Sequence, residues 1–182
     1  MSVCVIYGPV ASGKLTTATE FAQKTGYKLF HNHLIQDILV DLFPYEQPEF
    51  NERRALLSRK IRKDIYNAIF ESGVDVVTTV NFGGPGGLDL MRFIVETAKN
   101  YNQPLYLAHL TPDRSELDSR VVSATRKNFR KVATVEGLSD LLARGGYGYE
   151  TFPDFDHLQI DNTESPADKT AERIIEHYNI IS

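Results

Sequence analysis

Gly8-Pro9-Val10-Ala11-Ser12-Gly13-Lys14-Leu15-Thr16 is the stretch on which the reading of the whole chain turns. Its pattern is G-x-x-x-x-G-K-x-T. Glycines permit a tight turn that presents main-chain N–H groups inward to phosphate oxygens. A helix starting there aims its positive end at the same anion. Lys14 adds a mobile point charge suited to β- and γ-phosphates. Gly8, Ala11, Ser12, Gly13, Lys14, Leu15 and Thr16 are therefore candidate contacts to a nucleotide. The flanks supply the context the pattern needs. Val3-Cys4-Val5-Ile6-Tyr7 is a short apolar, β-rich run, and Leu15, Ala18 and Ala22 recur behind the loop at helical spacing until Gly26 stops them.

The 182 residues suit one domain with a real core. A net charge of −4 argues against a general nucleic-acid binder, which relies on a basic surface. Cys4 is the one cysteine, lies in the first expected strand and reads as a small core residue. No stretch approaches the roughly 20 apolar residues of a membrane span. The first apolar run leads straight into the glycine loop, so it reads as a strand and not as a signal peptide. A cytoplasmic protein is expected, as a monomer or homodimer.

Moving outward, Lys28-Leu29-Phe30 reads as a second strand ending in His31-Asn32-His33. Leu34, Ile35, Ile38, Leu39 and Leu42 mark one face of a helix. After a proline-rich break, a helix from about Pro48 to Ser72 is expected to bury Leu57, Ile61, Ile65 and Ala68. Val74 to Val80 is the best central parallel strand. Asn81 to Gly87, with four glycines and a proline, reads as a loop open to a ligand. Met91, Ile94, Val95 and Ala98 outline a helix, Pro104 to Leu110 a fourth strand, and Thr111-Pro112 the cap and first turn of another helix. Leu138, Leu141 and Leu142 suggest a short helix, and His157 to Ile160 a fifth strand. Ser165-Pro166-Ala167-Asp168 resembles a capping box with proline at the first helical position. The last helix turns Ala171, Ile174, Ile175 and Tyr178 inward. Alternating strands and helices imply right-handed crossovers, a sheet covered on both faces, and ligands at the strands' carboxyl ends.

This order of elements, with the glycine loop, resembles the small P-loop kinases: adenylate, shikimate and gluconate kinases. The resemblance implies a three-layer α/β fold whose five-stranded parallel sheet has order 2-3-1-4-5, a single domain over residues 1–182, and a lid at about 120–150. It implies ATP and Mg²⁺ as cofactors and a small-molecule phosphate acceptor. Leu15 stands where a hydroxyl usually ligates Mg²⁺. Thr16 carries the hydroxyl one position later, as in the G-K-G-T of adenylate kinases, so Mg²⁺ is expected to be held mainly by phosphates and water. No protein metal ligand is assigned. By the same likeness Arg120 packs on the adenine, Asn162 and Thr163 border the base, and Arg126 and Arg130 reach the transferring phosphate. Gly83 and Gly84 correspond to a glycine-rich substrate loop, and Arg53 and Arg54 to an acceptor-binding arginine.

The departure after strand two is larger. Shikimate-type kinases place Asp-x-Asp there; this chain has His31-x-His33. Imidazole can serve as a general base, with an ordinary pKa near 6.5. The pair could equally bind the acceptor or a metal, or cap the helix. A His-Asn-His nuclease is rejected, because three adjacent residues ending a strand do not make a hairpin-and-helix metal site. Arg120 to Lys131 holds five basic residues and no acidic one, a charge density that suits a visiting anion. The leading expectation is a phosphotransferase moving the ATP γ-phosphate to a nucleotide or hydroxylated metabolite. The competing ones are a nucleotide-binding regulatory protein and a slow NTPase.

Overall fold

The structure, a computed structural model, describes residues 1–123, 132–143 and 149–180. In chain order the elements are β1 (Val3–Tyr7), α1 (Lys14–Thr25), β2 (Lys28–His31), α2 (Asn32–Leu42), a 3₁₀ turn (Pro48–Phe50), α3 (Asn51–Ser72), β3 (Val76–Val80), α4 (Gly84–Asn100), β4 (Leu105–Leu110), α5 (Arg114–Val121), α6 (Val135–Ala143), β5 (Leu158–Ile160) and α7 (Ala167–His177). The five strands are parallel, in the order β2-β3-β1-β4-β5. This is the order that the resemblance to small P-loop kinases implies.

β1 shows why the sheet is central. All five of its residues are buried, and successive side chains enter opposite layers. Val3, Val5 and Tyr7 join Tyr66 and Phe70 of α3 and Met91, Ile94 and Val95 of α4. Cys4 and Ile6 join Ala18 and Phe21 of α1 and Ala171 and Ile174 of α7. Burial drives the Cys4 thiol pKa far above its ordinary range, as befits an inert core cysteine. A third cluster packs Leu117, Val121 and Leu138 of α5 and α6 under Ala11 of the glycine loop. The short β5 gains support from Tyr178, whose hydroxyl donates to the Leu107 carbonyl (2.5 Å) and accepts from the Leu158 N–H (3.0 Å).

Several boundaries and faces differ from the sequence reading. The apolar band of α2 is split: Ile35 and Leu39 are buried, whereas Leu34, Ile38 and Leu42 face solvent. On α3 the fully packed positions are Arg54, Ser58, Tyr66 and Phe70. Leu57, Ile61 and Ile65 are only half-buried, and Ala68 is exposed. Two large aromatics outweigh the aliphatic stripe, and Tyr66 also reaches the Thr78 hydroxyl on β3 at 2.8 Å. Most of the expected glycine loop is instead the first turn of α4, which begins at Gly84, because proline is tolerated in a helix's opening turn. α5 starts after Asp113, two residues beyond the expected Thr111-Pro112 cap. The capping box before α7 does not form. Pro166 itself is the N-cap, and its carbonyl accepts the Thr170 N–H at 2.9 Å.

Candidate active site

The glycine loop joins the carboxyl end of the central strand β1 to α1. Its backbone needs glycine at two places. Gly8 has φ +146°, and a Cβ there would lie 2.4 Å from the Leu110 carbonyl oxygen. Gly13 has φ +91° and is the N-cap of α1, with no side chain capping the helix. Ala11 also adopts a left-handed φ of 69°. Successive left-handed turns ahead of an uncapped helix start are the geometry that collects N–H groups around an anion. The loop therefore fits a polyphosphate. Lys14 is 8 % exposed, and its ammonium donates to the carbonyls of Gly8 (3.0 Å) and Pro9 (2.6 Å) and to Ser12 Oγ (3.4 Å). These bonds hold the charge inside the loop's curl. Leu15 is half-buried, and Thr16 is exposed at the helix start.

Three elements converge beside the loop. Arg120, near the end of α5, donates from Nε to Glu116 Oε1 (2.7 Å), from Nη1 to the Ser12 carbonyl (3.2 Å), and from Nη2 to the carbonyls of Asn162 (2.8 Å) and Thr163 (3.4 Å). Asn162, buried after β5, donates from Nδ2 to the same Ser12 carbonyl at 2.9 Å. Its Oδ1 is buried and has no hydrogen-bond partner among the described residues. The Thr163 hydroxyl accepts the Asp113 N–H (2.8 Å) and donates to Asp161 (2.7 Å). That bond and the Thr163 N–H hold the Asp161 carboxyl below its ordinary pKa. Residues far apart in sequence thus meet on one side of the loop.

On the other side, strand register positions the histidines. His31 and Ile6 both pair with Thr79 of β3, so the end of β2 stands two strands, about 10 Å, from the end of β1. His31 is the N-cap of α2 and His33 lies in its first turn; their rings are 6.1 Å apart and tilted by 52°. Gly83 caps α4 at the end of the intervening strand. Arg53 is exposed. Arg54 is buried and binds its own hairpin: Nη1 donates to the carbonyls of Phe43 (2.8 Å) and Pro44 (3.3 Å), Nη2 to Asn51 Oδ1 (2.5 Å), and the guanidinium lies 4.2 Å from the Tyr45 ring centre. Arg126 and Arg130 lie outside the described residues. Among the described residues, no three His, Cys, Asp or Glu side chains are placed to hold a metal ion.

The solved structures carry the same architecture. A candidate kinase from Chloroflexus aurantiacus J-10-fl is 16% identical, with 98% of this chain and 96% of that one covered, at a TM-score of 0.71. The chain has the small P-loop kinase fold. A sugar kinase from Janibacter sp. HTCC2649 aligns at 18% identity, coverage of 99% and 95%, and TM-score 0.68. Shikimate kinase from Acinetobacter baumannii, solved in complex with shikimate, aligns at 17%, 98% and 93%, and 0.60. No protein-family model and no curated protein matches the sequence.

Beneath the P-loop lies a cluster that no sequence motif announces. His109 on β4 is fully buried, stacks on Tyr7 of β1 at 4.4 Å with 4° between ring planes, and meets His157 edge-on at 5.9 Å. Neither of its ring nitrogens has a hydrogen-bond partner among the described residues. Burial, then the charges of His157 and Lys14, pull its pKa down to about 4, against a weaker opposing pull from Glu150. The only sequence signal is a histidine inside an otherwise apolar strand.

The stability consequence has a definite sign. Between the ordinary value of 6.5 and about 4, the unfolded chain takes up a proton at His109 that the native chain refuses. Stability attributable to this residue is constant above that window and falls as pH drops through it. The loss is on the order of 3 kcal/mol at most. Urea unfolding at pH 7 and pH 4 should therefore show a smaller acid loss for His109→Phe, which keeps the ring stack, than for wild type. Equal losses would remove His109 from the account.

Proposed function

We propose that the protein is an ATP-dependent phosphotransferase acting on a small-molecule acceptor. The observation that carries this reading is the division of the P-loop's surroundings. Arg120, Asn162 and Thr163 close one side; on the other Gly83 follows β3, and His31 and His33 stand across that strand. One side suits the nucleotide and the other a second reactant. The kinases among the structural neighbours, including one solved with shikimate, support the same reading.

In this reading the loop amides and Lys14 hold the β- and γ-phosphates, and Lys14 exchanges its bonds to the Gly8 and Pro9 carbonyls for phosphate oxygens. Phosphoryl transfer is mostly positioning and charge neutralisation, which these groups can supply. Arg120, already braced by Glu116, fixes the edge of the base site along with Asn162 and Thr163. The resemblance to small P-loop kinases assigns neutralisation of the transferring group to Arg126 and Arg130. His31 or His33 orients the acceptor hydroxyl and takes its proton, while Gly83, Gly84 and the exposed Arg53 border the acceptor. Arg54, committed to the hairpin, supports that border from behind. Mg²⁺ would supply charge neutralisation on the phosphates, held mainly by them and by water, with the exposed Thr16 hydroxyl the P-loop side chain available to it. Reliance on ATP supports a cytoplasmic location.

The test is a panel of nucleotides, sugars and hydroxy acids incubated with protein, Mg²⁺ and ATP or GTP, followed by mass spectrometry. A phosphorylated acceptor is expected, and His31→Ala/His33→Ala should slow its formation at least about 10²-fold, the usual scale of general acid–base catalysis. ADP release that no acceptor accelerates would replace this reading with a slow NTPase; nucleotide binding without turnover would replace it with a nucleotide-binding regulator.

A further inference from the structure

Two side chains from distant parts of the chain donate to one carbonyl of the loop. Arg120 Nη1 reaches the Ser12 oxygen at 3.2 Å and Asn162 Nδ2 reaches it at 2.9 Å, which uses both of its lone pairs. The same two groups lie 3.5 and 3.6 Å from the place a Cβ on Gly13 would take, so both face the Ser12–Gly13 peptide. Ser12 is fully buried and is fixed at its other polar groups too. Its N–H donates to the Pro9 carbonyl (3.2 Å), and its Oγ accepts from Lys14 (3.4 Å). Arg120 is itself braced by Glu116 Oε1 (2.7 Å) and the Asn162 carbonyl (2.8 Å).

A trans peptide points its N–H opposite to its C=O, and this chain has no cis bond. Holding the Ser12 carbonyl towards Arg120 and Asn162 therefore turns the Gly13 N–H away from them. Gly13 opens α1, where N–H groups have no intrahelical acceptor. A peptide next to glycine rotates easily unless something holds it. The two bonds remove that freedom before a ligand arrives, and a donor already in place needs no reorganisation when an anion binds. The hold has a cost. Asn162 Oδ1 is buried with no partner among the described residues, a penalty that a leucine of similar shape would not carry.

We propose that Arg120 and Asn162 are positioning residues for the polyphosphate itself. Acting through the Ser12–Gly13 peptide, they keep the Gly13 N–H aimed at a phosphate oxygen whatever base is attached. This rests on the phosphotransferase reading only in placing a polyphosphate in the loop, and it gives the two residues a role beyond the edge of the base site.

A ligand without a base separates the two roles. Titration calorimetry of the full chain with inorganic tripolyphosphate and with ATP is the experiment. Asn162→Leu changes no charge, and Arg120→Lys keeps the charge but not the guanidinium fork. Each should weaken tripolyphosphate about 10-fold, the scale of one hydrogen bond, and ATP at least as much. Asn162→Leu should keep the thermal stability of wild type, because the unpartnered oxygen leaves together with the bond. In ¹H–¹⁵N spectra tripolyphosphate should shift the Gly13 amide strongly downfield in wild type and much less in either variant. Variants that weaken ATP but leave tripolyphosphate affinity unchanged would overturn the proposal and leave both residues to the base alone. So would a wild type that binds ATP but not tripolyphosphate, or variants that lose stability with the Gly13 shift intact. Those outcomes spare the phosphotransferase reading, whereas the expected losses in a protein that phosphorylates no acceptor would remove that reading and keep this one.

Discussion

Lys14→Ala is expected to lower kcat/KM for ATP by about 10²–10³, the usual cost of removing one preorganised charge from a transferring phosphoryl group. The effect should appear in kcat as well as in affinity, because negative charge on the phosphates is redistributed in the transition state and Lys14 sits in a buried curl where water screens it poorly. The substitution has a second, separable effect. In the free protein the ammonium satisfies the Gly8 and Pro9 carbonyls and Ser12 Oγ. Its loss should cost about 1 kcal/mol of stability, so assays belong well below the variant's Tm. ADP-release kinetics and titration calorimetry on the folded variant measure the two quantities independently. Unchanged affinity and turnover would exclude this loop as the phosphate site.

Gly8→Ala is expected to be among the most destabilising single changes available, by about 4 kcal/mol, read as a drop in the urea midpoint. Two costs add. An L-residue at φ +146° is strained, and the new Cβ would sit 2.4 Å from the Leu110 carbonyl oxygen, a backbone atom of β4 that cannot move without disturbing the sheet. Gly26→Ala is the control. Gly26 also has positive φ, at +77°, but nothing lies within 4 Å of its added Cβ, so only the backbone strain remains, about 1 kcal/mol. Similar losses at the two sites would mean that the close approach of the loop to β4 is not rigid.

These two predictions differ in how visible they were. The P-loop was legible because each of its requirements is local: glycine where φ is positive, lysine at the helix start, an apolar strand before and a helical period after. The parallel sheet followed as well, from buried β-branched runs alternating with helices, whereas its strand order came only from the resemblance to small P-loop kinases. Arg54 was not legible in the same way. Its neighbours along the chain suggest an acceptor contact, yet its guanidinium closes the α2–α3 hairpin on carbonyls ten and eleven residues back. Nor could a helical wheel separate Ile35 and Leu39, which face the core, from Ile38 and Leu42, which do not. Periodicity reports that a face is apolar without saying how much of it another element covers.

The amino-acid order alone determined the strand–loop–helix start, the parallel α/β sheet and the glycine-permitted curl of residues 8–16, because those depend on backbone freedom and on repeat periods that neighbouring residues set. Tertiary structure decided the rest. It brought Arg120 and Asn162 onto the Ser12 carbonyl from 108 and 150 positions away, stacked His109 on Tyr7, and left Leu34, Ile38 and Leu42 of α2 in solvent. Those outcomes rest on which surfaces meet when helices pack on a sheet, and contacts between residues distant along the chain leave no mark on the local pattern of either.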